Sequence, residues 1–162
     1  MYRWVLLIHI GSVLGFVLVH GASGMAAWRL RRERGLEPAR ALLELTMAST
    51  NLMYGLLVLL LASGIVLGFM GHWWGRGWIW AALVVLLAIV AAMSIFGHSY
   101  HEARRLAGTR YFDYRKVREM PPQPADAAGL AHELEAARPN LLIGIGVVGL
   151  LILLWLMLFK PL

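Results

Sequence analysis

Cysteine is absent from this chain of 162 residues. Its absence excludes disulfides, thiolate-held iron–sulfur clusters and thiol chemistry, and it leaves the redox compartment undetermined. The sequence also lacks phosphate-binding loops, dinucleotide-binding fingerprints, serine nucleophile elbows and the zincin motif. These missing motifs favour a protein that is not an enzyme, without deciding the question.

Charge is the second scarcity. Only 15% of the residues are charged, 60% are hydrophobic, and the mean hydropathy is +0.68, which is typical of a membrane protein. No carboxylate lies in the middle of an apolar segment, so proton relays and ion-coupled transport lack their usual groups. The net charge of +6 comes from basic residues at the ends of these segments, which indicates membrane topology and no nucleic-acid partner.

Four apolar segments are each long enough to cross a bilayer as a helix. They cover about 4–28, 46–70, 78–100 and 140–159. We therefore predict an all-α bundle of four transmembrane helices, forming a single integral membrane domain over residues 1–162. The loop 101–138 is predicted to contain a short amphipathic helix, capped by Asp126, with Leu130 and Leu134 on one face.

Basic residues predict the orientation. Five arginines occupy the first connection and seven basic residues lie between Arg104 and Arg138, whereas the turn GHWWGRGWIW has one arginine and four tryptophans. By the positive-inside rule, the first and third connections are cytoplasmic and both termini lie outside. The basic run after the first segment is typical of a stop-transfer signal, so we expect this segment to stay as helix one and not to be cleaved as a signal peptide.

Helix one carries the two histidines that lie deepest in an apolar segment, His9 and His20. They are eleven residues apart, and a turn of about 100° per residue brings them to within roughly 20° of one direction. Small and polar residues share that face, whereas the opposite face is purely apolar. Because small and hydrogen-bonding residues mark helix contacts in membranes, both histidines are predicted to point into protein.

Histidine chemistry is the chemistry that the sequence offers. The leading hypothesis is a b-type haem, which would suit electron transfer, held between helices by His20 and His98. His9 and His101 are the further candidate ligands. On the predicted topology His20 and His98 both lie in the cytoplasmic half, although His20 is about 12 Å from the inner end of its helix and His98 only a few ångströms from the end of helix three.

Two alternatives stay open. One is binding or transport of copper or another transition metal, because imidazole and thioether ligands suit copper. The candidate inner ligands are His98, His101 and Glu102. The candidate outer ligands are His9, Met70 and His72. The other alternative is a cofactor-free accessory or structural subunit of a larger membrane complex, in which the histidines only hold helices together. Asn51 is kept as a further candidate site residue.

Three stretches carry a resemblance: LLIHIGSVLGFVLVHGASGMAAWRLRRERG, GFMGHWWGRGWIWAAL and WLMLFKPL. Together they look like a family of bacterial predicted integral membrane proteins of unknown function. More distantly, the early histidine of helix one followed by small residues is similar to the copper-resistance D-type membrane domain and to small cytochrome b bundles. The resemblance implies a four-helix protein of the bacterial inner membrane. It says nothing about activity, because the function of that family is unknown. We also expect a homo-oligomer or a subunit of a membrane complex, in contact with the lipid bilayer.

Overall fold

The computed structural model describes residues 1–113 and 118–161. Their helices and strands are α1 (Tyr2–Leu30), α2 (Leu36–Met70), α3 (Gly77–Phe96), α4 (His98–Leu106), β1 (Tyr111–Asp113), β2 (Arg118–Met120), α5 (Ala127–Ala136) and α6 (Pro139–Phe159). Four spans in this part of the chain are long and apolar enough to cross a membrane: α1, α2, α3 continued by α4, and α6. The all-α four-helix bundle is confirmed. Arg115 and Lys116, counted above in the basic loop, lie outside the described residues.

The four spans alternate in direction, so the bundle has two chemically different ends. The arginine-rich end contains residues 29–40, 98–113 and 118–140, and the tryptophan-rich end contains residues 70–80 and 155–161. At the tryptophan-rich end, the ammonium group of Lys160 lies 4.3 Å from the centre of the Trp73 ring. The Trp80 indole N–H donates to the carbonyl of Trp74 at 3.0 Å. The first contact holds the end of α6 against the turn between α2 and α3, and the second holds that turn against the start of α3.

The two faces predicted for helix one are confirmed. Leu7 is 59% exposed and Leu18 is 75% exposed, whereas Ser12 is 2% exposed and Ala27 is 8% exposed. An exposed leucine needs no protein partner in lipid, because lipid tails are as apolar as leucine itself. The greasy face of α1 is therefore the face available to lipid, and the small-residue face packs inside the bundle.

Helix packing places α1 along α2, α3 along α6, and α1 beside α6. Glycines lie at these contacts: Gly15 meets Leu56, Gly24 meets Ile143, and Gly149 meets Ile89. Each glycine lets a side chain of the neighbouring helix approach its backbone. Gly144 of α6 differs, because a Cβ atom placed there would meet nothing within 4 Å in the described part of the chain.

Helix α2 begins ten residues before the predicted start at residue 46, and it spans 35 residues in all. At 1.5 Å per residue it is about 52 Å long, which exceeds the roughly 30 Å of a hydrocarbon core. Its first turns, before residue 46, contribute Ala39 and Leu43 to a small hydrophobic core at the arginine-rich end. This core, which we call the cap, is formed by Leu30, Ala39, Leu43, Ala103, Ala107, Leu130 and Leu134.

The cap includes the predicted amphipathic helix. Asp126 Oδ1 accepts a hydrogen bond from the backbone N–H of Gly129 at 2.9 Å, which caps α5. Leu130 and Leu134 are buried, as their shared face predicted. The sequence did not indicate the short antiparallel pairing of β1 with β2, nor that Gly97 ends α3 and that α4 begins directly after it.

Candidate functional site

A large cavity among the described residues lies between all four spans, towards the arginine-rich end. Its volume is about 860 Å³, which falls in the range of sites that bind small molecules and cofactors. Its walls are mostly apolar side chains of α1, α2, α3 and α6. Polar and charged side chains from α1, α2 and α4 join them, and we call this space the histidine cavity because His20, His98 and His101 line it.

His20 enters the cavity wall from the middle of α1. Its ring lies parallel to Phe16, with 6.1 Å between the ring centres and an interplanar angle of 6°. The Nε2 atom is buried and has no hydrogen-bond partner in the described part of the chain, and the same holds for the hydroxyl of Ser23 one turn further on. The imidazole packs directly against Gly146 of α6. A side chain larger than hydrogen at Gly146 would collide with it.

His98 and His101 come from α4, which directly follows α3. Tyr100, between them in sequence, has a buried hydroxyl with no hydrogen-bond partner among the described residues. Because Gly97 keeps a right-handed helical backbone, α4 continues roughly the direction of α3. The helix therefore carries these imidazoles and the phenol to the end of the cavity that lies nearest the cap.

Positive charge lies at the same end of the cavity. Arg104 is only 7% exposed, and its Nη2 atom lies 3.5 Å from the hydroxyl of Thr46 on α2. Arg105, also on the cavity wall, forms an ion pair with Glu102 one turn earlier. A cavity with apolar walls and guanidinium groups at one end suits an apolar molecule that has acidic groups at one end.

The two leading candidate ligands reach the cavity at different depths. Gly146, which faces His20, is about 4.5 Å nearer the arginine-rich end than Gly149, which faces Ile89 on α3. The level of His20 thus corresponds to a point about three residues beyond Ile89. His98 lies about 9 Å further towards the arginine-rich end. The structure brings both imidazoles to one cavity but does not place them at one level.

His9 lies elsewhere, in the contact between α1 and α2. Its Nδ1 atom is 3.1 Å from the hydroxyl oxygen of Ser63 and 3.2 Å from the carbonyl oxygen of Leu60. The Ser63 hydroxyl donates to the carbonyl of Leu59 at 2.7 Å. This network assigns the proton to Nδ1, from which His9 donates. Gly64 leaves room for the ring, so His9 has a structural partner and does not line the histidine cavity.

The residues expected to hold copper do not form a three-ligand cluster. Nowhere in residues 1–113 and 118–161 do three or more His, Cys, Asp or Glu side chains converge as metal ligands. The carboxylate of Glu102 is engaged by Arg105. At the tryptophan-rich end, Met70 is the last residue of α2, and its α-carbon lies about 10 Å along the helix beyond Ser63, the partner of His9. His72 follows in the turn with a positive φ of 55°.

Asn51 is exposed, and it is not part of the cavity wall. Sequence reasoning missed Tyr100 and Arg104, which are on that wall. Their spacing from Ala103 and Ala107 is the available signal, because residues three and four apart share one helical face. The small alanines on that face indicate that it is buried, and an arginine among them is then a buried cation.

Comparisons with protein-family models, with curated proteins and with solved structures find no match to this chain. The bacterial family suggested by the sequence therefore stays a prediction.

Proposed function

We propose that this protein binds a b-type haem in the histidine cavity. The observation that carries the proposal is the coincidence, in one space of about 860 Å³, of apolar walls, histidine imidazoles and arginines at one end. A haem has an apolar macrocycle, two acidic propionates and an iron that accepts imidazole. When bound, it would supply one-electron redox chemistry. The volume, the wall chemistry and the placement of charge fit this group.

His20 and His98 are the residues proposed to bind the iron, with His101 as the further candidate on α4. The buried Nε2 of His20 has no hydrogen-bond partner among the described residues, which leaves its lone pair or proton without a role in the fold. Since that atom packs against Gly146, His20 must change its side-chain rotamer to present Nε2 to the cavity. The difference in depth favours His20 and His98 acting singly over their acting as an opposed pair.

The arginines of α4 are proposed to receive the acidic groups. Arg104 is held in place by the packing of α4 against α2, and Arg105 is oriented by Glu102. Guanidinium groups bind carboxylates through paired hydrogen bonds. The same two residues fix which way round the group lies, with its acidic edge towards the arginine-rich end.

The proposed location is the inner membrane of a bacterium, with the arginine-rich end in the cytoplasm and both termini outside. The support is the asymmetry of basic residues between the two ends of the bundle. The long exposed apolar faces of the spans also suit a homo-oligomer or a subunit of a larger membrane complex, and this remains part of the proposal.

The test is a visible absorption spectrum, oxidised and reduced, of the full chain purified in mild detergent from haem-replete cells. We expect a Soret band and a reduced α-band, with about one haem per chain. His98→Ala and His20→Ala are each compared with His132→Ala, a matched change at an exposed histidine of α5 outside the cavity. Loss of haem in one cavity variant but not in His132→Ala supports the proposal. A colourless wild-type preparation overturns it.

A cofactor-free accessory subunit is the second candidate, and a specific observation favours it. His9 and His20 both pack against glycines of a neighbouring helix, Gly64 and Gly146, as residues that only hold helices together would. A colourless protein that co-purifies stoichiometrically with another membrane protein supports this candidate. Copper is separated from both by metal analysis of the colourless protein, in which less than one copper per several chains excludes it.

A further inference from the structure

Three arginines converge on a second, smaller cavity at the arginine-rich end. Its volume is about 430 Å³, and it shares no lining residue with the histidine cavity. We call it the arginine pocket. It is lined by Trp28, Arg31, Arg32, Arg34 and Asn140. It lies where α1 ends and α6 begins, so two spans reach the level of the membrane surface at this point.

Two of these arginines have no acidic partner among the described residues. The guanidinium carbon of Arg32 lies 3.8 Å from the centre of the Trp28 ring, a cation–π contact that holds the group flat and leaves its N–H edge free to donate. Arg31 forms no ion pair in the described part of the chain. Glu33 does not neutralise them directly, because its Oε1 atom accepts hydrogen bonds from the backbone N–H groups of Arg34 and Gly35, each at 2.9 Å.

The third arginine is paired, but weakly. Arg34 lies 3.3 Å from Glu135, and the side chains are 66% and 63% exposed. Exposed pairs of this kind contribute little to stability and are screened by salt, so Arg34 can exchange its carboxylate for another anion. Three guanidinium groups against the two carboxylates of Glu33 and Glu135 leave the pocket positively charged.

The start of α6 adds to this charge. Asn140 is the second residue of this 21-residue helix. The residue just before the helix, Arg138, provides no side-chain acceptor for the first backbone N–H groups. The N-terminus of a long helix carries a partial positive charge, which attracts anions. At α6 this contribution comes from the helix dipole, because Pro139 has no N–H and the N–H groups of Leu141 and Leu142 donate to the carbonyl of Arg138 at 3.1 and 3.3 Å. The pocket therefore combines cationic side chains with a helix end that lacks a cap.

We propose that the arginine pocket binds the headgroup phosphate of an anionic phospholipid. The source is lipid because the pocket opens where two spans emerge from the bilayer, at the depth of the headgroups. Trp28, 37% exposed on its rim, is the residue type that prefers this layer. Basic pockets between membrane helices bind the headgroups of acidic lipids in this way. The site is independent of the histidine cavity and of any haem.

The experiment titrates phosphatidylglycerol, cardiolipin or phosphatidylcholine into the detergent-purified full chain. Lipid retention is read by native mass spectrometry, and the melting temperature is recorded in parallel. Arg31→Gln and Arg32→Gln are each expected to weaken binding of the anionic lipids by about fivefold. Arg29→Gln is the matched control, because Arg29 is exposed in the same terminal turn of α1 but does not line the pocket. It should retain wild-type binding.

Each alternative outcome overturns the proposal. Equal losses in Arg29→Gln and Arg32→Gln would show a diffuse surface charge and no site. Equal retention of zwitterionic phosphatidylcholine and anionic phosphatidylglycerol would show that the pocket does not select lipids by the net negative charge of the headgroup. Inorganic phosphate at millimolar concentration, if it displaces the anionic lipid, would assign the pocket to a free anion. If Arg32→Gln does not fold, Arg31→Gln decides the matter, because the cation–π contact with Trp28 is made by Arg32.

Discussion

A single methyl group added at Gly146 is expected to disturb the contact between α1 and α6. A Cβ atom placed there would overlap the His20 imidazole at Nε2 and would lie 2.8 Å from Cε1 and 2.9 Å from Cδ2. Real Cβ atoms do not approach other atoms so closely. In Gly146→Ala either the ring must leave its position beside Phe16 or the helices must separate.

The magnitude follows from two opposing effects. Forcing extra atoms into a packed contact destabilises the fold by about 1–3 kcal/mol. Replacing glycine by alanine inside a helix stabilises the helix by up to about 1 kcal/mol. The net destabilisation expected for Gly146→Ala is therefore about 1–2 kcal/mol. Gly144→Ala is the matched control on the same helix: a Cβ at Gly144 meets nothing within 4 Å, so this variant should be neutral or slightly stabilised.

The assay is thermal unfolding of both variants in the same mild detergent. At about 2–4 °C per kcal/mol for a chain of this length, Gly146→Ala should melt about 5 °C below Gly144→Ala. The double variant His20→Ala with Gly146→Ala removes the colliding ring and should recover stability relative to the sum of the single changes. Equal melting temperatures for the two glycine variants, or strict additivity in the double variant, would refute the described contact.

Three further predictions test other parts of the structure. Ser63→Ala removes one hydrogen-bond partner of His9 but keeps the Leu60 carbonyl, so we expect a loss of only about 0.6 kcal/mol in thermal unfolding; a loss several times larger would contradict the shared hydrogen bond. Asp126→Ala removes the N-terminal hydrogen bond of α5 and should cost about 1 kcal/mol of local stability. We expect faster amide exchange in residues 127–136, with exchange in α1 unchanged; unaltered exchange in α5 would contradict the role of the Asp126 hydrogen bond. A reporter fused after Leu162 should be active only outside the cytoplasm, and cytoplasmic activity would reverse the proposed orientation.

How far the sequence predicts the site can be judged from its histidines. That His9 and His20 share one face of helix one follows from helical geometry alone, and both do face protein. Their partners do not follow from it: His9 meets α2 at Ser63, and His20 meets α6 at Gly146. The two residues lie on one face of α1 yet contact different helices, because α1 packs along α2 and beside α6 at different levels.

The cap shows the same limit at the arginine-rich end. Residues 36–45 are amphipathic and mostly good helix formers, but their helical state depends on burying Ala39 and Leu43 against α4 and α5. The predicted start of this helix, at residue 46, is where the continuous apolar run begins, and the polar residues before it therefore fall outside the predicted span. The spacing of Arg40 and Glu44, four residues apart, would allow an ion pair on one helical face. Instead Arg40 pairs with Glu37 at 2.6 Å and donates to the carbonyl of Ala107 at 2.7 Å, a partner that only the fold brings near.

Local sequence patterns are sufficient to predict four spans long and apolar enough to cross a membrane, the face of α1 that is open to lipid, and the capping of α5 by Asp126. These properties depend on local patterns: the length of apolar runs needed to cross a bilayer, helical periodicity and hydrogen bonds within one turn. Neither the histidine cavity nor the arginine pocket follows from such patterns. They arise from contacts between distant segments, and among helices as apolar as the lipid around them, composition carries little information about which helix packs against which.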